Sequence, residues 1–199
     1  LEGVRDHYGA SDVVHLTWKN LLDGYACTEC GRCTAACPAA LTGKPLSPRK
    51  IVMSVRQRLL EAAPALLGPD DPCALPLLGS DSGVANAPKG RRLLDSYISE
   101  EELWACTSCR ACVYECPVSI DQLDVINALR QGLVLDEARF PEEVIPTFES
   151  LESHGTPWPF PASERGRWAE GLGVPTVAEL AARGERPEIL FWVGCMGSF

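Results

Sequence analysis

The chain has no apolar run of about 18 residues or more, the length at which a helix can cross a bilayer, so no segment of it reads as a membrane span. Aromatic residues are scarce at 7%, and there are only three histidines. His7, His15 and His154 stand apart in the sequence, and none has neighbours that suggest a metal site or a catalytic dyad. Positive charge is also short. Eighteen Lys and Arg face 27 Asp and Glu, for a net charge of −9, and a chain without a basic face is a poor partner for nucleic acid. The opening residues Leu1-Glu2-Gly3-Val4-Arg5-Asp6 lack the basic and apolar blocks of a secretory leader. The chain does not begin with Met and stops at Phe199 just after a turn that ought to lead onward, so the expectation is a piece of a longer protein. What is present is ordinary for a soluble globular protein. There are 199 residues, 46% hydrophobic and 23% charged, enough for one good-sized domain or two small ones. Sixteen prolines predict short elements joined by stiff connections.

The ten cysteines are the strongest signal. Eight of them fall into two quartets, Cys27, Cys30, Cys33, Cys37 and Cys106, Cys109, Cys112, Cys116, each followed by proline. The two segments align over Tyr25-Ala26-Cys27-Thr28 and Trp104-Ala105-Cys106-Thr107, and every cysteine pair is 79 positions apart. A disulfide framework has no reason to duplicate a spacing in this way; a duplicated metal-binding loop does. The thiols are therefore read as ligands, in a reducing compartment.

Helices form the expected scaffold. Thr17 is placed to cap a helix over Trp18 to Asp23, and Ser47-Pro48 is a start signal for a helix to about Ala62. Ser99 and Glu102 make a capping box ahead of the second quartet. After Pro117, Ile120, Leu123, Ile126, Leu129 and Leu133 recur at helical spacing. Pro141 is expected to open a helix through Glu152, and Ser163 another ending near Gly171. The stretch from Pro64 to Pro88 reads as an irregular loop, and Pro157 to Pro161 as an extended linker. Ile189-Leu190-Phe191-Trp192-Val193 reads as a buried strand followed by a glycine-flanked turn around Cys195.

The spacing CxxCxxCxxxCP is the iron–sulfur pattern in which three cysteines wrap one [4Fe–4S] cube and the fourth, turned away by a helix beginning at the proline, ligates the other. Applied here, Cys27, Cys30, Cys33 and Cys116 hold one cluster, and Cys106, Cys109, Cys112 and Cys37 hold the second. Zinc is the rival reading, but it normally uses two separated CxxC knuckles rather than complete quartets with a trailing proline. Arg32 and Arg110 lie inside the loops, where a positive charge favours the reduced cluster; solvated surface arginine is the plain alternative. Tyr25 and Trp104 either shield the clusters from water or are ordinary core residues. Cys73 has no evident partner. Cys195 suits a ligand position, but a lone thiol binds no cluster.

These motifs, together with Gly43-Lys44-Pro45-Leu46-Ser47-Pro48-Arg49-Lys50 and Val193-Gly194-Cys195-Met196-Gly197-Ser198, resemble the heterodisulfide reductase-related iron–sulfur proteins. Within them the likeness is to (Fe–S) oxidoreductases that include electron-transfer-flavoprotein:menaquinone oxidoreductase-like proteins, and it covers about residues 9 to 199. The resemblance implies a mainly α fold, an α-helical ferredoxin with two [4Fe–4S] loops, followed by the first strand of an α/β module of the Cys-Cys-Gly (CCG) type. It divides the chain into a lead-in (1–16), the two-cluster domain (17–156), a linker with short helices (157–187) and the start of the CCG module (188–199). It makes Cys195 a candidate extra ligand once that module is complete; the defining Cys-Cys-Gly is absent from this sequence. It implies a one-electron relay between a donor, a flavoprotein, and an acceptor, a quinone or a disulfide, with a quinone-reactive membrane module as partner, in the cytoplasm at the inner face of the membrane. A catalytic domain acting directly on a heterodisulfide is the alternative.

Overall fold

The computed structural model describes residues 7–67 and 90–199, so Cys73 and most of the expected loop from Pro64 to Pro88 lie outside the described residues. The chain divides into two compact units, Leu1–Arg139 and Phe140–Phe199.

The first unit is built on helices. Thr17 caps α1 (Trp18–Ala26) by accepting from Asn20 N, while the Asn20 side chain reaches back to the Thr17 N–H. Ser47 does the same for α4 (Pro48–Leu67), its Oγ accepting from Lys50 N at 3.3 Å. Helix α4 runs a turn beyond Ala62. Ile51, Val55 and Ala62 lie at helical spacing on its buried face, and α1 and α8 (Gln122–Gln131) pack on it. Gly24 allows α1 its close approach, since a Cβ there would meet Arg56 at 3.4 Å. The core continues through Leu93, Leu94 and Ile98 around the kinked single turn α5 (Leu93–Ser96), through Leu103 of α6 (Glu100–Trp104), and along Leu123, Ile126, Leu129 and Leu133. The predicted helix after Pro117 thus starts later, at Gln122, and its end loosens into a π turn over Gly132–Asp136.

The segment before α1 is fastened down. Ala10 N donates to Ala128 O at 2.8 Å, and Asp136 accepts from Tyr8 N and Gly9 N. This crossing needs two glycines: a Cβ on Gly9 would stand 1.9 Å from Gly132 N, and one on Gly132 would stand 2.3 Å from Ala10 O. Asp12 binds Arg58 with both oxygens and also accepts from Val13 N and Leu93 N. His7 and His15, separate in the sequence reading, come together with ring centroids 4.2 Å apart.

The second unit departs further from expectation. Pro141 opens a 3-10 turn (Glu142–Val144) before α9 (Ile145–His154), and the helix expected at Ser163 is a 3-10 segment over Ala162–Ala169. Residues 157–161 are bent rather than extended: Phe160 N bonds Trp158 O at 2.8 Å and the Thr156 hydroxyl donates to the same oxygen. A short helix, α10 (Val177–Ala182), carries the capping box of Thr176 and Glu179. The expected strand is absent. Among the described residues the β structure is one isolated bridge, Leu94 to Ile98, and residues 189–193 are irregular. Ile189 is 85% exposed and Trp192 84%. A strand is held by the ladder of a neighbour, and no described segment supplies one. The glycine-flanked turn is instead a short helix, α11 (Gly194–Ser198), followed by Phe199, whose ring stacks on Phe160 at 5.8 Å.

Candidate metal centre

The two cysteine loops repeat in backbone conformation as well as in sequence. In the first, Glu29 (φ 58°) and Gly31 (φ 81°) are left-handed; in the second, Ser108 (φ 56°) and Arg110 (φ 62°) are left-handed at the matching positions. Each loop then enters a four-residue helix, α2 (Arg32–Ala35) and α7 (Ala111–Tyr114), and these two helices lie against each other. Alternating right- and left-handed residues turn successive N–H groups inward, a concavity suited to anionic ligands, iron–sulfur sites included. The N–H groups already point at sulfur: Ser108 N donates to Cys106 Sγ at 3.4 Å and Ile120 N to Cys116 Sγ at 3.3 Å.

The halves differ after the fourth cysteine. Pro38 opens α3 (Pro38–Leu41) as expected, but no helix begins at Pro117. Ser119 is left-handed at φ 56°, and Asp121 caps α8 by accepting from Asp124 N, so the helix start moves to Gln122.

The eight cysteines surround two cavities. Cys27, Cys30, Cys33 and Cys116 line one; Cys37, Cys106, Cys109 and Cys112 line the other. Each cavity draws three cysteines from one repeat and the fourth from the other. Four soft sulfur donors around a cavity with apolar walls and inward N–H groups fit a cubane cluster.

Charge is graded across the sites. Backbone hydrogen bonding from the following turn holds the exposed Cys30 and Cys109 thiols below their ordinary range, through the N–H groups of Arg32 and Ala111 respectively. Burial pushes Cys33 up, and pushes Cys112 up to about 11, helped by the neighbouring Cys106 and Cys37. The two cavities are neighbours, since α2, which carries Cys33, lies against α7, which carries Cys112.

Several supporting residues escaped the sequence reading. Arg49 of α4 lines the first cavity and donates to Glu29 O at 3.4 Å, while Arg56 pairs with the Glu29 carboxylate. Arg130 of α8 ties down the second loop, donating to Leu103 O at 2.6 Å, to Cys106 O, and to Ser108 Oγ at 3.2 Å, with its guanidinium over the Trp104 ring. Arg130 falls four residues after Ile126, on the apolar stripe itself, and a charge in that position was the available signal. Of the arginines inside the loops, Arg110 lines the second cavity and pairs with Asp121 at 2.7 Å, whereas Arg32 lines neither. Tyr25 and Trp104 do not line the cavities; Tyr25 is half exposed and Trp104 bonds Glu100. Val118 and Ile120 form the apolar wall of the first cavity, and Leu46, Leu123 and Ile126 that of the second.

Residues 26–120 match the 4Fe-4S dicluster domain family. This is a two-cluster iron–sulfur domain. Two of its relatives are named as oxidoreductases. The chain is 38% identical to the probable iron-sulfur-binding oxidoreductase FadF of Bacillus subtilis, over 98% of this chain and 30% of the relative. It is 34% identical to the probable membrane-anchored ferredoxin of Chromohalobacter salexigens (94% of this chain, 27% of the relative). It is 31% identical to the EtfAB:quinone oxidoreductase of Syntrophomonas wolfei (96% and 28%). More distant matches carry the name heterodisulfide reductase. The chain spans less than a third of the length of these first three relatives. The dicluster domain is an electron-transfer iron–sulfur module with two [4Fe–4S] clusters as its cofactors. Among the described residues no helix is long and apolar enough to cross a membrane. Cys195, in the second unit, has Arg165 Nη2 at 3.9 Å from its sulfur.

Proposed function

We propose that Cys27, Cys30, Cys33 and Cys116 ligate one [4Fe–4S] cluster and Cys37, Cys106, Cys109 and Cys112 the other, and that the module relays single electrons from a reduced flavoprotein to a quinone. The observation that carries the ligand assignment is the sorting of the eight cysteines into two cavities, each completed by a cysteine of the opposite repeat. The donor and acceptor rest on the name of the Syntrophomonas wolfei relative, EtfAB:quinone oxidoreductase. A quinone dissolves in the bilayer, so the module works at the inner face of the membrane, on the cytoplasmic side where thiols stay reduced.

When bound, the clusters supply reversible one-electron reduction. The protein supplies the rest. The loops present four thiolates and inward N–H groups to each cavity, so the geometry is set before an electron arrives. Arg49 and Arg110 place one guanidinium at each cavity, where added negative charge is offset. Val118, Ile120, Leu46, Leu123 and Ile126 exclude water from the sulfur side. The test is anaerobic reconstitution followed by iron analysis and EPR. About eight irons per chain, with cluster signals that appear on adding a reduced electron-transferring flavoprotein and disappear on adding a soluble quinone, support the relay. Two zinc ions per chain, or clusters that neither partner reduces or oxidises, would sink it.

A further inference from the structure

The two cavities carry one guanidinium each, Arg49 and Arg110, but their remaining walls are chemically unequal. The second is closed by Leu46, Leu123 and Ile126. The first has among its lining residues Gln122, the first residue of α8. Gln122 is 2% exposed, and its Oε1 is buried with no hydrogen-bond partner among the described residues. A buried amide left unpaired costs about 1–3 kcal/mol, and an apolar residue at this position would avoid that cost, as Leu123 does one position on. The amide turns about its last bond, and its oxygen and nitrogen are told apart only by their partners. Beside a cavity lined by four cysteine sulfurs, it is the NH₂ end that would find an acceptor once iron is bound, because sulfur bound to iron carries negative charge.

We propose that Gln122 is a hydrogen-bond donor to the sulfurs of the first cavity and raises the reduction potential of the cluster held there. This rests on the ligand assignment given above. The physical basis is that a donor stabilises the form with more negative charge on sulfur, which is the reduced form. Gln122 is a positioning and tuning residue, so its readout is a potential and not turnover.

The experiment is a redox titration monitored by EPR on the reconstituted chain, with signals assigned through Cys30→Ser for the first cavity and Cys109→Ser for the second. Gln122→Leu is expected to weaken reduction of the first cluster about tenfold in its equilibrium constant, a fall of about 59 mV for one electron. The second cluster is expected to stay where it is. Gln122→Glu keeps the shape and, measured at a pH where the carboxyl is ionised, removes the donor, so it should lower the first potential at least as far, and it stands in if the leucine variant loses iron. A first potential unchanged in both variants, or both potentials falling together, overturns the proposal. A parent protein that takes up no iron fails the ligand assignment instead, a different result from clusters that bind with unmoved potentials.

Discussion

Replacing Arg130 by Met should loosen the second cluster loop and leave the first intact. The side chain reaches from α8 to the carbonyls of Leu103 and Cys106 and to the Ser108 hydroxyl, and its guanidinium covers Trp104 at 5.2 Å. Hydrogen bonds from a charged donor contribute about 1.5–3 kcal/mol each, and an exposed cation–π contact about 0.5–1 kcal/mol. Leu103 O keeps a second donor, Cys106 N at 3.3 Å, so it is not orphaned when the arginine goes. Water can reach the half-buried Cys106. Counting one carbonyl in full and discounting the rest gives about 2–3 kcal/mol for holding the loop closed. If loop opening is what exposes the cluster, iron should leave the second site about 30- to 140-fold faster in Arg130→Met, since about 1.4 kcal/mol is a factor of ten. The assay is the rate of iron capture by a chelator, followed by the separate EPR signals of the two clusters. Methionine keeps the helix propensity and the aliphatic stem, so α8 should survive. Equal acceleration at both sites, or none at the second, would refute the reasoning, because the contacts of Arg130 reach only one loop.

Cys37→Ser should damage the cluster of Cys106, Cys109 and Cys112, with the signal of the other cluster retained; loss of only the Cys27, Cys30 and Cys33 cluster would mean that ligation is not crossed. Gly132→Ala puts a Cβ 2.3 Å from Ala10 O, and backbone lies on both sides of that contact. It should cost about 3 kcal/mol and lower the thermal midpoint, while Gly166→Ala, with nothing within 4 Å, leaves it unchanged. Burial alone would raise the Asp12 carboxyl, but Arg58 and the N–H groups of Val13 and Leu93 outweigh it and hold the group below 3.8. Its contribution is therefore complete above that value and lost as pH falls through the lowered one. Asp12→Asn should cost about 2–3 kcal/mol at neutral pH, and the gap to the parent should close in an acid titration; a gap that persists at the lowest pH would count against the ion pair.

What could be read from sequence was local and periodic. The capping residues Thr17, Ser47 and Ser99 set three helix starts, and the apolar stripe from Leu123 to Leu133 set the face of α8 that packs inward. The repeat of 79 positions carried over into matched left-handed residues and matched helices α2 and α7. The misses involve partners distant in the chain. An apolar run such as Ile189 to Val193 has strand composition, but a strand exists only through its neighbour's ladder, and the run lies exposed. Arg130 is a charge on the apolar stripe of α8 and Gln122 a polar residue beside it; their roles depend on which loop that face meets. The capping box of Thr176 and Glu179 is legible in the sequence and fixes the start of α10, one of the short helices expected in the linker.

The comparison of Gly31 with Arg110 shows what enforces the loop shape. Both residues are left-handed, at φ 81° and 62°, and both sit directly before a four-residue helix. Glycine adopts that conformation freely, whereas a side chain there costs about 1–2 kcal/mol. The Arg110 side chain pairs with Asp121, but that bridge is largely exposed and offsets at most about 1 kcal/mol. Local chemistry therefore leaves the second loop at best balanced. The concavity of N–H groups around Cys106, Cys109 and Cys112 is held by something stronger, and Arg130 with the thiolate ligation proposed for these cysteines supplies it. Structural metal ligation is worth on the order of ten kcal/mol. Against that, the strain at Arg110 is small, so the second loop can carry a cation at the position where the first has Gly31 and still keep the shape that the cluster requires.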